Sequence, residues 1–400
     1  MHIAIDACCL GRKKTGNETY IRGLLSGFET LLSCASRECE MRNEECGVAE
    51  DARLRYSPDA GDVRFTVLTT SAYTGERASC FEWVDIPLGN FVTRNFLTIP
   101  SVLRRLKPDL YHGVYWTRFF AQPVPTVLMV HDLSFVSFPQ GFHRHEQWVY
   151  ANLVRACARS ARHVLTVSQF SKQELMMHWK IPADNITVTY DGLDSCYSPL
   201  DPSALQPPTQ QPTTKNQKPL PYILYIGNLH PRKNIIRLLE AFVGVRRSGN
   251  SSHRLKVVGQ EAWMAGDVFA AVRQSPFADQ VDFTGYVSYE KLTSLYQNAA
   301  VCVYPSLYEG FGLPVLEAMA CGCPVVCSNT TSVPEVAGDA AILVNPESAD
   351  DIAKGIRRVL TEPGLAAELR ERGIQQAKKF TWEACAEATL AVYRRAVAGG

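Results

Sequence analysis

Two carboxylates interrupt an otherwise apolar run, EGFGLPVLEAMACGCPVV, at residues 309–326. Seven residues separate Glu309 from Glu317, and Gly310-Phe311-Gly312 lies between them. Carboxylates accept hydrogen bonds from hydroxyls, while backbone amides at a helix start donate to anions. Glycine lets the backbone approach a ligand with no Cβ in the way. Pro314 suits the first position of a helix, where no N–H is needed. The segment therefore reads as a strand and exit turn over 301–306, a loop over 307–312 and a helix with Glu317 in its first turn. A ligand rich in both hydroxyls and phosphates, such as a sugar nucleotide, would satisfy the whole set. The plainer alternative for Glu317 alone is a carboxylate complementing the helix dipole.

Other residues offer matching chemistry. In YILYIGNLHPRKNIIRLLEAF (222–242) a strand ends at Gly227, and Arg232 and Lys233 precede a helix opened by Asn234. Paired cations ahead of a positive helix end suit a diphosphate; a solvated basic pair is the alternative. Near the N-terminus Gly11 and Gly16 have P-loop spacing, but Asn17-Glu18 stands where Lys-Ser/Thr is required, so that reading fails. What remains is a glycine loop at a helix N-terminus, facing a phosphate or sugar, or else an ordinary turn. His131, in VLMVHDLSF, follows an apolar strand at the end where α/β sites sit, with Asp132 beside it to orient the loop. It is a candidate for a catalytic or sugar-contacting role. Ser168 is either a pocket residue or the N-cap of a helix over 170–178. No D-x-D occurs, so no metal-chelating diphosphate site is expected.

The elements that must position these residues alternate between short β-branched runs and helical patterns. Strands are expected at 2–7, 63–69, 109–112, 126–130, 163–167 and 186–190, then at 222–226, 254–259, 281–284, 301–304, 324–327 and 341–344. Helices are expected between them, including 17–33, 94–106, 144–159, 170–178, 234–247, 314–321 and 382–396. This alternation means βαβ units and parallel sheets. Residues 198–221 are rich in Pro, Gln and Thr and read as a linker. The expected organisation is a first domain over 1–197, the linker, a second domain over 222–381 and a last helix over 382–400 that packs back on the first domain. Two strand edges facing each other would form an interdomain cleft. The polar stretch 34–62 reads as an extended surface loop, or one with a helical extension.

Bulk properties narrow the class. Four hundred residues exceed one ordinary core, and 46% hydrophobic with 20% charged residues is globular. A net charge of +1 gives no global field for nucleic acid or membranes. There is no signal-peptide pattern or long apolar span. The 13 scattered cysteines lack C-x-x-C and read as reduced thiols of a cytoplasmic protein. Residues 91–107 mix aromatics with Arg94, Arg104, Arg105 and Lys107. They suggest either a packed helix with a basic face or peripheral contact with an anionic membrane.

The Glu309/Glu317 segment resembles the E-x7-E signature of retaining GT-B glycosyltransferases, the group called glycosyltransferase family 4 (group 1). TGNETY (15–20), VHDLSF with Pro139, LTVSQFSKQEL (165–175), DGLD (191–194), GNLHPRKN (227–234), VPEVAGDAAILVNP (333–346) and FTWEACAEATLAVY (380–393) agree in order along nearly the whole chain. The HDLSF and GNLHPRKN forms look most like mannosyl- and rhamnosyltransferase-type members. The resemblance implies a GT-B fold, two Rossmann-like domains with parallel sheets facing a cleft. It implies a retaining, metal-independent hexosyltransferase, with a mannose-type sugar moved from a nucleotide-diphosphate sugar to a glycan or lipid-linked acceptor in cell-envelope or polysaccharide biosynthesis. No cofactor beyond that donor is expected.

It also implies roles. Glu309 would hold hydroxyls of the donor sugar, and Glu317 the ribose. Backbone at Phe311, Gly312 and Leu313 would approach the sugar or diphosphate. Lys233 would neutralise the diphosphate with Arg232 beside it; the arginine that often follows the glycine is Asn228 here, and Arg232 is the expected partial substitute. Gly16 would face donor or acceptor, and His131 the reacting centre. With Glu317 at the ribose, front-face departure and attack is expected rather than double displacement by both glutamates. The competing readings are a GT-B-like epimerase or phosphorylase and a catalytically silent sugar-nucleotide-binding protein.

Overall fold

The computed structural model describes residues 1–11, 16–41, 63–90, 93–114, 123–200, 220–249, 251–261 and 265–399. Among them, the first sheet has seven strands: β1 (His2–Asp6), β2 (Arg64–Thr70), β3 (Glu82–Ile86), β4 (Leu110–Val114), β5 (Thr126–Met129), β6 (His163–Thr166) and β7 (Ile186–Val188). Their order is β3-β2-β1-β4-β5-β6-β7, and every pairing is parallel. The second sheet has six: β8 (Tyr222–Ile226), β9 (Arg254–Val258), β10 (Val281–Gly285), β11 (Val301–Tyr304), β12 (Val325–Ser328) and β13 (Ile342–Val344). It runs β10-β9-β8-β11-β12-β13, again all parallel.

Parallel strands need crossovers, and the helices supply them. Helices cover both faces of such sheets, so the central strands are buried apolar runs without alternation: TVLM in β5 and VCVY in β11 are buried throughout. Strand order reverses between β1 and β4 in one sheet and between β8 and β11 in the other. Loops leaving those strands diverge and open a crevice at the strand ends. The helix starting at Gly16 follows β1, the Arg232-Lys233 turn follows β8, and Glu309 follows β11. These three loops thus start from reversal strands of their own sheets, while His131 follows β5, the next strand out.

The sequence reading missed β3. EWVDI is an edge strand, with Glu82 exposed and Asp85 in an ion pair with Arg77, and its charges mask the β pattern. The first helix runs on to Met41, through part of the stretch expected to be a surface loop, the alternative with a helical extension; residues 42–62 lie outside those described. So do 201–219 of the linker, Thr15 of the TGNETY segment, and Phe91 and Val92. Over 94–106 a five-residue π-helical stretch leads into a helix, Ile99–Leu106, with Pro100 in its first turn. Ile99, Pro100 and Leu103 are buried while Arg104, Arg105 and Lys107 are exposed, the packed-helix alternative for this segment.

Two compact units emerge. One contains Met1–Leu133, Arg144–Gly192 and Thr381–Gly400; the other contains Ser134–His143 and Leu193–Phe380. The division falls at 192/193, where the sequence alone suggested 197/198, and it assigns Ser134–His143 to the second unit. His230 accounts for part of that: its ring nitrogen lies 3.1 Å from the Gly141 carbonyl oxygen. Within the first unit the last helix, Trp382–Ala398, packs on the first through Gly23, where a Cβ would sit 1.9 Å from the Trp382 ring. Only glycine permits that approach. Among the described residues no helix is long and apolar enough to cross a membrane.

Candidate functional site

In the second unit the chain leaves β8 and forms a single 3-10 turn, Pro231–Lys233, capped by the His230 side chain. Asn234 follows in the left-handed region (φ 60°), which asparagine tolerates better than most residues. Its side-chain amide donates to the Pro305 carbonyl at 2.9 Å and the Pro346 carbonyl at 2.7 Å, tying the turn to the exits of β11 and β13. Arg232 and Lys233 are thereby fixed against the loop carrying Glu309.

Glu309 bridges both cations. Lys233 Nζ donates to Oε1 at 2.7 Å and Arg232 Nη1 to Oε2 at 3.0 Å. Arg232 Nη1 also donates to the Tyr308 carbonyl at 2.7 Å. Tyr304, the last residue of β11, donates to Oε1 at 3.0 Å and contacts Lys233 Nζ, which lies 4.8 Å from its ring centroid. Burial alone would push the Glu309 carboxyl up; the two positive charges and the hydrogen bond from Lys233 outweigh it and hold the group down at about 2. Glu309 is thus an anion at neutral pH, and the trio carries a net single positive charge.

The glycine loop is pinned from behind. Thr331 has φ 60°, a strained value for a β-branched residue, and its Oγ1 accepts from the Glu309 N–H at 3.2 Å. Ser332 Oγ lies 2.9 Å from the carbonyl oxygens of both Glu309 and Phe311. Gly312 has φ 120° and caps the helix Leu313–Ala320. Only Val333, at 3.8 Å, would touch a Cβ there, so backbone conformation rather than space demands the glycine.

Because the helix begins at Leu313, with Pro314 second, Glu317 falls at its fifth position, one residue beyond the expected place and just past the first turn. Dipole complementarity fades after the first turn, which removes the plainer explanation for this carboxylate. Glu317 Oε2 instead accepts from Tyr296 Oη at 2.8 Å. Burial raises its carboxyl to about 7, with Tyr296, Tyr197 and the Lys233 charge acting in the opposite direction.

The first unit holds the other two candidates. Gly16 opens the helix Gly16–Met41, and no described atom lies within 4 Å of where its Cβ would be. Tyr20, one turn on, packs edge-to-face on His131 with centroids 4.9 Å apart. Tyr20 Oη also lies 3.4 Å from His112 Nε2, and His112 Nδ1 contacts the Tyr393 hydroxyl. The His131 carbonyl accepts from Ser171 Oγ at 3.0 Å. Ser168 is the N-cap of the helix Gln169–Trp179, accepting from the Ser171 N–H, so the capping alternative describes it. Burial lowers His131 to about 4 and His112 to about 3; both imidazoles are neutral at pH 7.

Lys233, Arg232 and Glu309 therefore meet directly, and Phe311, Gly312 and Leu313 continue the same loop; Gly16 and His131 are linked through Tyr20. Tyr304, Thr331, Ser332, Tyr197 and Tyr296 were not singled out from sequence. Only Tyr304 carried a signal, as the last residue of an apolar strand before proline.

Comparison with known proteins places the chain in a family. The family described as "Glycosyl transferases group 1" matches residues 208–380, and "Glycosyltransferase Family 4" matches 56–195. The O-antigen chain mannosyltransferase B of Escherichia coli is 37% identical over 295 residues, 73% of this chain and 76% of that protein. Among solved structures, sucrose-phosphate synthase of Thermosynechococcus elongatus superposes over 100% of both chains with a TM-score of 0.73 at 20% identity. Anabaena HepE, solved in complex with UDP-glucose, covers 98% of this chain and 100% of its own with a TM-score of 0.66 at 17% identity.

Proposed function

The chain belongs to the group 1 glycosyltransferases, and within that family we propose that it moves a mannose-type hexose from a nucleotide-diphosphate sugar to a glycan or lipid-linked acceptor, with retention and without a metal ion. The observation carrying this reading is the Glu309 carboxylate held between Lys233 and Arg232 beside the Gly312 helix cap. The similarity to an O-antigen mannosyltransferase supports the sugar and the polysaccharide context.

The residues divide the work by charge. The leaving group is a nucleoside diphosphate, on which negative charge grows as the glycosidic bond breaks. Lys233 and Arg232 stabilise that charge from a semi-enclosed site, where Coulomb interactions exceed their strength in water. Amides at the start of the helix Leu313–Ala320 add donors. Glu309, kept anionic, accepts from donor-sugar hydroxyls, and Glu317 accepts from the ribose. Two carboxylates devoted to binding leave no pair flanking the scissile bond, so leaving-group departure and acceptor attack occur on one face. His131, neutral at working pH, serves as a hydrogen-bonding contact at the reacting sugar rather than as a cationic acid.

The test is transfer to an envelope-glycan acceptor from GDP-mannose, UDP-glucose and dTDP-rhamnose, with and without EDTA, reading the anomeric configuration of the product. Transfer from GDP-mannose with retained configuration and no loss in EDTA is expected. Activity lost to EDTA and restored by a divalent cation would contradict metal independence. Donor binding without transfer or hydrolysis would favour the silent binding protein.

A further inference from the structure

Two tyrosines enclose Glu317 from separate parts of the second unit. Tyr296, on the helix Tyr289–Asn298, is fully buried, and its hydroxyl donates to Oε2 at 2.8 Å. Tyr197, in the segment 193–200, lies beside the same carboxyl and favours its ionised form. Their rings meet edge-to-face at 6.2 Å, and Tyr289 packs on Tyr197 at 6.3 Å. A single Glu317 carboxylate thus has one phenolic donor at hydrogen-bond distance and a second phenol beside it, and the two rings brace each other. An ordinary helix carboxylate needs neither. A half-buried carboxylate with Tyr296 donating to one oxygen, Oε2, keeps acceptor capacity on the other for a ligand.

We propose that Tyr197 and Tyr296 are positioning residues for nucleotide recognition, aiming the Glu317 carboxylate at the ribose hydroxyls of the donor. This rests on the nucleotide-sugar reading of the same site. Other groups around Glu317 are Asp194 from the 193–200 segment, Lys233 from the turn after β8, Cys302 from β11 and Cys321 at the end of its own helix. Asp194 disfavours the anion, and Lys233 favours it. The cysteine thiols are pushed up by burial and stay neutral across the working range. The two tyrosine hydroxyls and Lys233 are therefore what keeps the carboxyl from rising further.

A direct consequence follows for pH. A carboxylate that accepts from ribose must be ionised, so affinity is highest above its titration and weakens as pH falls through about 7. Removing one phenolic donor raises the titration and moves this loss to higher pH. Tyr296→Phe keeps the ring and its packing, so it isolates the hydroxyl.

The experiment is calorimetric titration of GDP, UDP and dTDP into the wild type, Tyr296→Phe, Tyr197→Phe and Glu317→Gln between pH 6 and 9. Glu317→Gln supplies the baseline for titration of the phosphates themselves. In the wild type, affinity relative to that baseline is expected to fall about tenfold from pH 8 to 6. In Tyr296→Phe the midpoint moves up by about one pH unit, making binding roughly fivefold weaker at pH 7 and nearly restored at pH 9. Tyr197→Phe shifts it in the same direction. A merely structural tyrosine would weaken binding equally at all pH values. Unchanged midpoints in both tyrosine variants, with Glu317→Gln still impaired, would overturn the positioning role alone. Full affinity in Glu317→Gln, or no nucleotide binding by the wild type, would overturn the ribose reading beneath it.

Discussion

The cluster around Glu309 and the cluster around His131 are built on opposite principles. Around Glu309, ionised groups neutralise one another: the carboxylate is held at about 2 between a lysine and an arginine. Around His131, neutral rings pack: Tyr20 edge-on, then His112 and Tyr393, with burial keeping both imidazoles uncharged. Under the proposed function, the first cluster exchanges its internal ion pairs for a charged ligand. In the second, both imidazoles stay uncharged near neutral pH. Under that function, a diphosphate site needs the former.

Substitutions in each cluster should fail differently. The largest effect is expected for Lys233→Ala: kcat/KM for transfer should fall by about 10²–10³-fold, the usual loss when one preorganised donor to developing charge is removed. A loss under threefold would mean the ion pair is only structural. Next, Glu309→Ala leaves two half-buried cations facing each other and should cost about 3 kcal/mol in denaturant unfolding. The sign with pH is fixed by the depressed carboxyl: the Glu309 contribution is present above the ordinary value of 4.5 and is lost as pH falls towards 2. Wild type and variant should therefore converge in stability at acid pH, and a constant difference would argue against it.

In the neutral cluster, Tyr393→Phe removes one buried hydrogen bond and should lower stability by about 1–2 kcal/mol, with transfer changed less than twofold. A large loss of activity at preserved stability would mean that the neutral cluster takes part in the chemistry. The smallest effect is a flat profile. With His131 titrating near 4, subtracting the His131→Asn profile from the wild type should leave no inflection between pH 6 and 8. An inflection there would show that His131 titrates during catalysis.

The same contrast explains what was legible in the sequence. Arg232-Lys233 and Glu309-Gly-Phe-Gly are each contiguous, and each directly follows a reversal strand, so residue type and strand position suffice to mark them. Strand alternation likewise gave both parallel sheets except β3, whose edge position admits charge. The neutral cluster gathers Tyr20, His112 and Tyr393 from separate segments around His131; only His131 was marked locally, by its strand-end position, and nothing distinguishes the other three from other buried aromatics. Tyr197 and Tyr296 are hidden in the same way; their meaning comes only from what their hydroxyls touch. The place of Glu317 differed by one position because Gly312, in a positive-φ conformation, starts the helix at Leu313 instead of Pro314.

The most direct measurement is calorimetric binding of GDP-mannose to the wild type and to Lys233→Ala at pH 8. One site on the wild type, with affinity weakened at least tenfold in the variant, is the predicted result. Equal affinity in the two proteins would remove Lys233, and with it the Glu309-centred ion pair, from recognition of the donor diphosphate.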